Sequence, residues 1–116
     1  MLNIVNQKTG WIEVICGSMF SGKTEELIRR IRRAEYAKQK VQVFKPIIDN
    51  RYDANNIVSH SQMQAASIPI NSPGEIYSYL DDDVKIIAID EAQFFDSSIV
   101  GICNDLADRG YRVIVA

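Results

Sequence analysis

A length of 116 residues leaves room for one domain with a sizeable core, since domains commonly run about 100 to 200 residues. The hydrophobic share of 47% and charged share of 24% are those of an ordinary globular chain, and no stretch approaches the ~18 apolar residues of a membrane span. A formal net charge of -2 gives no general reason to expect nucleic acid or a membrane surface as partner.

The N-terminus, Met1 to Gly10, is polar and lacks the positive-then-apolar layout of a secretory signal, so a cytoplasmic location is expected. Trp11 to Cys16 is short, β-branched and aromatic, and stops at Gly17; it reads as the first strand. Leu27, Ile28, Ile31, Ala34 and Ala37 then recur at helical spacing through about Lys38. On that helix Glu25 and Glu26 precede Arg29, Arg30, Arg32 and Arg33. The order matches the helix dipole and suits a solvated face, with anion contact by one arginine as the other reading. Val41 to Phe44 forms a second strand ended by Pro46, and the polar segment Asp49 to Gln64 reads as a loop.

Ile68 to Ile70 is expected as a short edge strand because Pro69 cannot donate to a ladder, and Pro73 suits the first turn of a helix over Gly74 to Leu80. Val84 to Ile89 is almost wholly aliphatic, as expected of a strand covered on both faces. Phe95 to Arg109 is helical in pattern, with Gly110 as its stop, and Tyr111 to Ala116 reads as another buried strand. Alternating strands and helices of this kind predict an α/β domain spanning residues 1–116 with a largely parallel sheet. The sequence stops on an apolar strand with no helix after it, so a longer parent chain is expected. Cys16 and Cys103 belong to no closely spaced pair and are expected to be buried, reduced thiols.

Two segments carry chemistry. Gly17-Ser18-Met19-Phe20-Ser21-Gly22-Lys23-Thr24 fits the phosphate-loop pattern G-x-x-x-x-G-K-[ST], following a strand and opening a helix as the mechanism requires. Backbone amides of such a loop point at phosphate oxygens. Lys23 reaches the β- and γ-phosphates, and the Thr24 hydroxyl ligates magnesium. The second segment is Val84 to Ile89 followed by Asp90 and Glu91, an aliphatic strand that delivers carboxylates at its carboxyl end, where open α/β sheets bind ligands. Asp90 is the expected magnesium ligand and Glu91 the expected base toward a hydroxyl or a water. These features indicate a P-loop site for ATP and magnesium without choosing the acceptor.

The run Gly17 to Arg30, then Phe44-Lys45-Pro46 with Asp49-Asn50-Arg51-Tyr52 and Ser59-His60, then Ile89-Asp90-Glu91-Ala92-Gln93-Phe94-Phe95, resembles the cytosolic thymidine kinase family in order and spacing. The resemblance implies a RecA-like fold and phosphorylation of the thymidine 5'-hydroxyl by ATP. It implies that Glu91 takes the proton of that hydroxyl, and that Asp90, Glu91, Ala92 and Gln93 border the nucleotide. Asp49 and Arg51 are implied near the phosphates, with an ordinary turn as the alternative; Met19 and Phe94 are implied in the thymine pocket, with core packing as the alternative. His60 and Tyr52 are read as structural loop residues, and Phe95 as the first core residue under the last helix.

Complete members of that family continue past the strand matching Tyr111 to Ala116 into a part with a four-cysteine zinc site and a lasso-like loop over thymidine. With Cys16 and Cys103 as its two cysteines, this chain offers no zinc ligand set of that kind. The ATP half of the site is expected in this chain, with weak or absent transfer by these residues alone, and a homotetramer is implied for the whole enzyme. The remaining alternative from the residues themselves is a nucleotide-binding module or ATPase in which Glu91 polarises water.

Overall fold

The structure, a computed structural model, describes residues 10–17, 22–47, 56–58 and 64–116. Its elements in chain order are β1 (Trp11–Val14), α1 (Lys23–Tyr36), β2 (Lys40–Pro46), β3 (Asn56–Val58), β4 (Gln64–Ala66), β5 (Ile68–Ile70), α2 (Ile76–Tyr79), β6 (Val84–Ile89), α3 (Ser98–Asp108) and β7 (Arg112–Val115). Short 3-10 turns, Pro73–Glu75 and Ala92–Phe94, lead towards α2 and α3.

Five strands form one sheet in the order β1-β7-β6-β2-β5, and every pairing in it is parallel. The protein is thus an α/β fold of P-loop, RecA-like type. Alternation along the strands divides the core in two. Val43 on β2, Ile86 and Ala88 on β6, and Ile114 on β7 face α1, whose Leu27, Ile28, Ile31 and Ala34 cover them. Phe44, Ile87, Ile89 and Val113 face the other way, toward Ile76 of α2 and Cys103 and Leu106 of α3. Since both faces of β6 are covered, its near-continuous aliphatic run has a direct cause: each fully buried isoleucine gains ~1.5–3 kcal/mol whichever way it points.

Three expectations need correction. The segment Asp49 to Gln64 is not all loop, because Asn56–Val58 pairs antiparallel with Gln64–Ala66 as a small second sheet. Ile57 of that hairpin is buried against the α1 core, and the alternation that marks a strand is too short over three residues to register in sequence. The last helix begins at Ser98 rather than Phe95, since Ala92–Phe94 is a separate 3-10 turn and Phe95 is extended. Cys103 is buried but Cys16 is exposed; it lies past the last residue of β1, at the edge of the sheet. As expected, Ile68–Ile70 is the edge strand beside β2, and Gly110, at φ 104°, makes the left-handed turn after α3.

The basic stripe of α1 is paired on its own helix. Arg29 meets Glu25 at 2.6 Å and Arg30 meets Glu26 at 2.8 Å, both at i,i+4 spacing. Arg30 also leaves the helix for the sheet: its Nη1 donates to Glu13 of β1 at 2.9 Å. Arg112 of β7 grips the same carboxylate with two bonds, at 2.6 and 3.0 Å, and the Trp11 indole adds a third donor at 2.7 Å. One half-buried carboxylate therefore ties α1, β1 and β7 together.

Candidate functional site

All five strands of the main sheet run parallel, so their carboxyl ends collect along one edge, with Gly17 following β1, Pro46 closing β2, Asp90 following β6 and Ala116 following β7. Helix α1 begins at the same edge. Gly22 precedes it at φ 89°, a left-handed conformation that glycine adopts without the steric penalty of a Cβ, so the chain turns directly from the loop into Lys23 and Thr24. Gly22 accepts the Glu26 amide at 3.0 Å, and Glu25 and Glu26 in the first turn complement the dipole.

The two sequence segments expected to work together meet here. The Thr24 hydroxyl lies 3.1 Å from both carboxylate oxygens of Asp90, 66 residues later in the chain. Asp90 is buried, with 5% of its surface exposed. Its amide donates to the Phe44 carbonyl at 2.9 Å, which seats it beside the end of β2. Burial, then the nearby negative charge of Glu91, pushes the Asp90 carboxyl up to about 6, while the Thr24 hydroxyl and the positive charge of Lys45 act the other way. A hydroxyl and a desolvated carboxylate are the hard oxygen donors that magnesium takes, so Thr24 and Asp90 fit that ion. Among the described residues no group of three or more His, Cys, Asp or Glu side chains is placed to hold a metal.

Glu91 has a left-handed backbone, φ 56° and ψ 40°, uncommon for a residue with a long side chain. The turn is held from both sides. The Ala92 amide donates to the Ala116 carbonyl at 3.0 Å, the Ala116 amide donates to the Ile89 carbonyl at 2.8 Å, and the Phe94 amide returns to the Glu91 carbonyl at 3.1 Å. The end of β7 thus fixes the direction in which the chain leaves β6. An observed outlier held in place at a strand end is where functional strain concentrates.

Of the other residues singled out in sequence, Gly17, Gly22 and Lys23 lie at this edge, and Ala92 and Gln93 follow Glu91 in the 3-10 turn. Phe94 is 49% exposed, which removes core packing as its explanation, whereas Phe95 packs against the α3 core. Ser18, Met19, Phe20, Ser21, Asp49, Arg51, Tyr52 and His60 lie outside the described residues. Lys45, to which sequence reading attached no role, lies one position beyond Phe44, the partner of Ile89, and so stands next to Asp90. Its signal was the alternation Val41, Val43, Lys45 on the face that meets α1.

Among the described residues no helix is long and apolar enough to cross a membrane. A family model described as thymidine kinase matches residues 10–116, which include both halves of the site and nearly the whole chain. The chain belongs to the thymidine kinase family.

Proposed function

We propose that this chain supplies the nucleotide half of a thymidine kinase, which transfers the γ-phosphoryl group of ATP to the 5'-hydroxyl of thymidine and releases ADP and thymidine monophosphate. The observation that carries the reading is the Thr24–Asp90 contact, which joins the helix after the phosphate loop to the acidic end of β6 in a chain of this family. Residues 17–24 are assigned to the phosphates by their loop pattern, with Lys23 meeting the terminal ones. Thr24 and Asp90 hold magnesium, which when bound neutralises charge on the phosphate oxygens. Asp49 and Arg51 are assigned to the phosphates and Met19 and Phe94 to the thymine base, on the strength of the family resemblance.

Glu91 acts as the base. Its carboxylate is close enough to Asp90 to raise the latter's affinity for a proton, and its left-handed backbone turns its side chain to a course of its own. It accepts the proton of the 5'-hydroxyl as that oxygen attacks phosphorus. Phosphoryl transfer asks of the protein mostly positioning and charge compensation, which this edge is built to give. The test is ADP formation by the intact protein with and without thymidine, beside Glu91→Gln. Thymidine-dependent turnover that falls at least ~100-fold in the variant is the expected result, the size typical of a lost general base. Turnover with water that ignores thymidine would replace the kinase reading with an ATPase.

A further inference from the structure

Lys45 is a cation of this edge that the proposed mechanism leaves unused, and the register of the sheet shows which face of β2 it projects from. Val41 and Val43 pack with the core under α1, so Lys45, two residues on, projects from the same face of β2. Ile86 and Ala88 do the same on β6, which sets Asp90 on that face as well, as its contact with Thr24 shows. Phe44 pairs with Ile89. Lys45 and Asp90 are therefore lateral neighbours on the α1 side, one step past the paired ends of two adjacent strands, and the positive charge of Lys45 is felt at Asp90.

Strand order then fixes where this cation stands relative to the rest of the site. Gly17 follows β1, at one end of the order β1-β7-β6-β2, and Thr24, at the start of α1, touches Asp90 on β6. Lys45 on β2 is the next position outward, on the side of Asp90 away from β1. A triphosphate held at Lys23 and Thr24 would run along this edge toward Asp90, and so toward Lys45, bringing its terminal phosphoryl group to this side. Asp90 and Glu91 bring negative charge to this end of the site, and Lys45 brings positive charge to the same place. Among the described residues the other lysines, Lys38, Lys40 and Lys85, sit at the opposite ends of α1, β2 and β6, so Lys23 and Lys45 are the lysines of the site edge.

We propose that Lys45 is a phosphate-contacting residue of this site, its ammonium meeting the terminal phosphoryl group of a nucleoside triphosphate on the side of Asp90 opposite the phosphate loop. The proposal rests on the reading of this edge as a nucleotide site, and it does not depend on which acceptor receives the phosphoryl group. The ammonium complements a group whose charge moves from the leaving oxygen to the transferred oxygens as the bond breaks. Its charge also offsets that of the carboxylates beside it, which lowers the repulsion that a nucleotide meets on arrival.

The experiment measures binding of ATP and of ADP to the intact protein, Lys45→Met and Lys45→Arg, by displacement of a fluorescent nucleotide with magnesium present, beside the melting temperature of each. Contact with the terminal phosphoryl group predicts that Lys45→Met weakens ATP about tenfold, equivalent to about 1.4 kcal/mol, while ADP changes less than about threefold. Lys45→Arg, which keeps the charge, should recover most of the difference. A strand-end lysine with a purely structural task predicts a lower melting temperature and equal losses for ATP and ADP, or no loss, and either pattern overturns the proposal. Wild-type protein that binds ATP yet ignores thymidine ends the kinase reading while the ATP-to-ADP comparison still decides Lys45. Protein that binds neither nucleotide overturns both.

Discussion

Asp90 shows at the scale of one residue how a buried carboxylate is held at the expense of stability. Burial, with Glu91 beside it, lifts its proton affinity from an ordinary 3.8 to about 6 in the folded chain. The folded state then binds the proton more tightly than the unfolded state, so stability falls as pH rises from about 4 to about 6 and stays lowered above that window. The shift corresponds to a cost on the order of 3 kcal/mol. Asp90→Asn should therefore make the metal-free protein more stable at pH 7 by up to about that amount, with the gain vanishing near pH 4, and should remove magnesium-dependent ATP binding. Urea unfolding at the two pH values reads this directly; a variant less stable than wild type at pH 7 would show that the carboxylate's contact with Thr24 outweighs its desolvation. Glu91 beside it carries a second local cost, since a left-handed glutamate holds strain of about 1 kcal/mol that glycine in its place would not.

At the scale of elements, the attachment of α1 to the sheet depends on more than its apolar face. Glu13 receives Arg112, Arg30 and Trp11, and the Arg112 hydrogen bonds lead in bringing its carboxyl down to about 2 from an ordinary 4.5. A carboxyl depressed in the folded state contributes stability that is fully present above pH 4.5 and is lost as pH falls from there toward 2. This window lies below that of Asp90, so the two groups act on different limbs of the stability curve. Glu13→Gln should cost about 2 kcal/mol at pH 7, because it leaves two half-buried guanidinium groups without their shared anion, and should flatten the acid limb below pH 4.5. Unfolding midpoints across pH 2 to 7 check both parts; an unchanged acid limb would assign the pH dependence to other carboxylates. The α1 start is set by the same logic of local geometry, with Gly22 making the turn that no residue bearing a Cβ makes freely.

Across the whole molecule, the sheet separates two cores with different duties. The α1 core reaches the site: Leu27, fully buried, is one turn from Lys23 and Thr24. The α3 core, with Leu106 equally buried, lies behind the sheet. Leu27→Ala and Leu106→Ala should each cost ~2–5 kcal/mol through lost burial and the cavity left behind. They should differ in function: Leu27→Ala weakens nucleotide binding because the helix that carries Thr24 loosens on its bed, and Leu106→Ala leaves binding near wild type. Equal nucleotide affinity in the two variants, measured below their melting temperatures, would show that the site is insensitive to the seating of α1.

Much of this was legible from residues alone. The phosphate-loop spacing, the glycine before Lys23, the aliphatic run into Asp90 and Glu91, and the helical period of Leu27, Ile28, Ile31 and Ala34 are local patterns whose causes are local: φ freedom, strand covering and a 3.6-residue repeat. From them the sequence by itself determined the α/β class, most of the elements and the two segments that meet at one edge of the sheet. Tertiary structure decided what depends on neighbours distant in the chain. It brought Thr24 within 3.1 Å of Asp90 across 66 residues, set Lys45 beside Asp90 through the register of Phe44 with Ile89, and shared Glu13 between Arg30 and Arg112. It also exposed Cys16 and folded Asn56–Val58 onto Gln64–Ala66, because burial and pairing are properties of which strand lies next to which, and no repeat along the chain encodes that order.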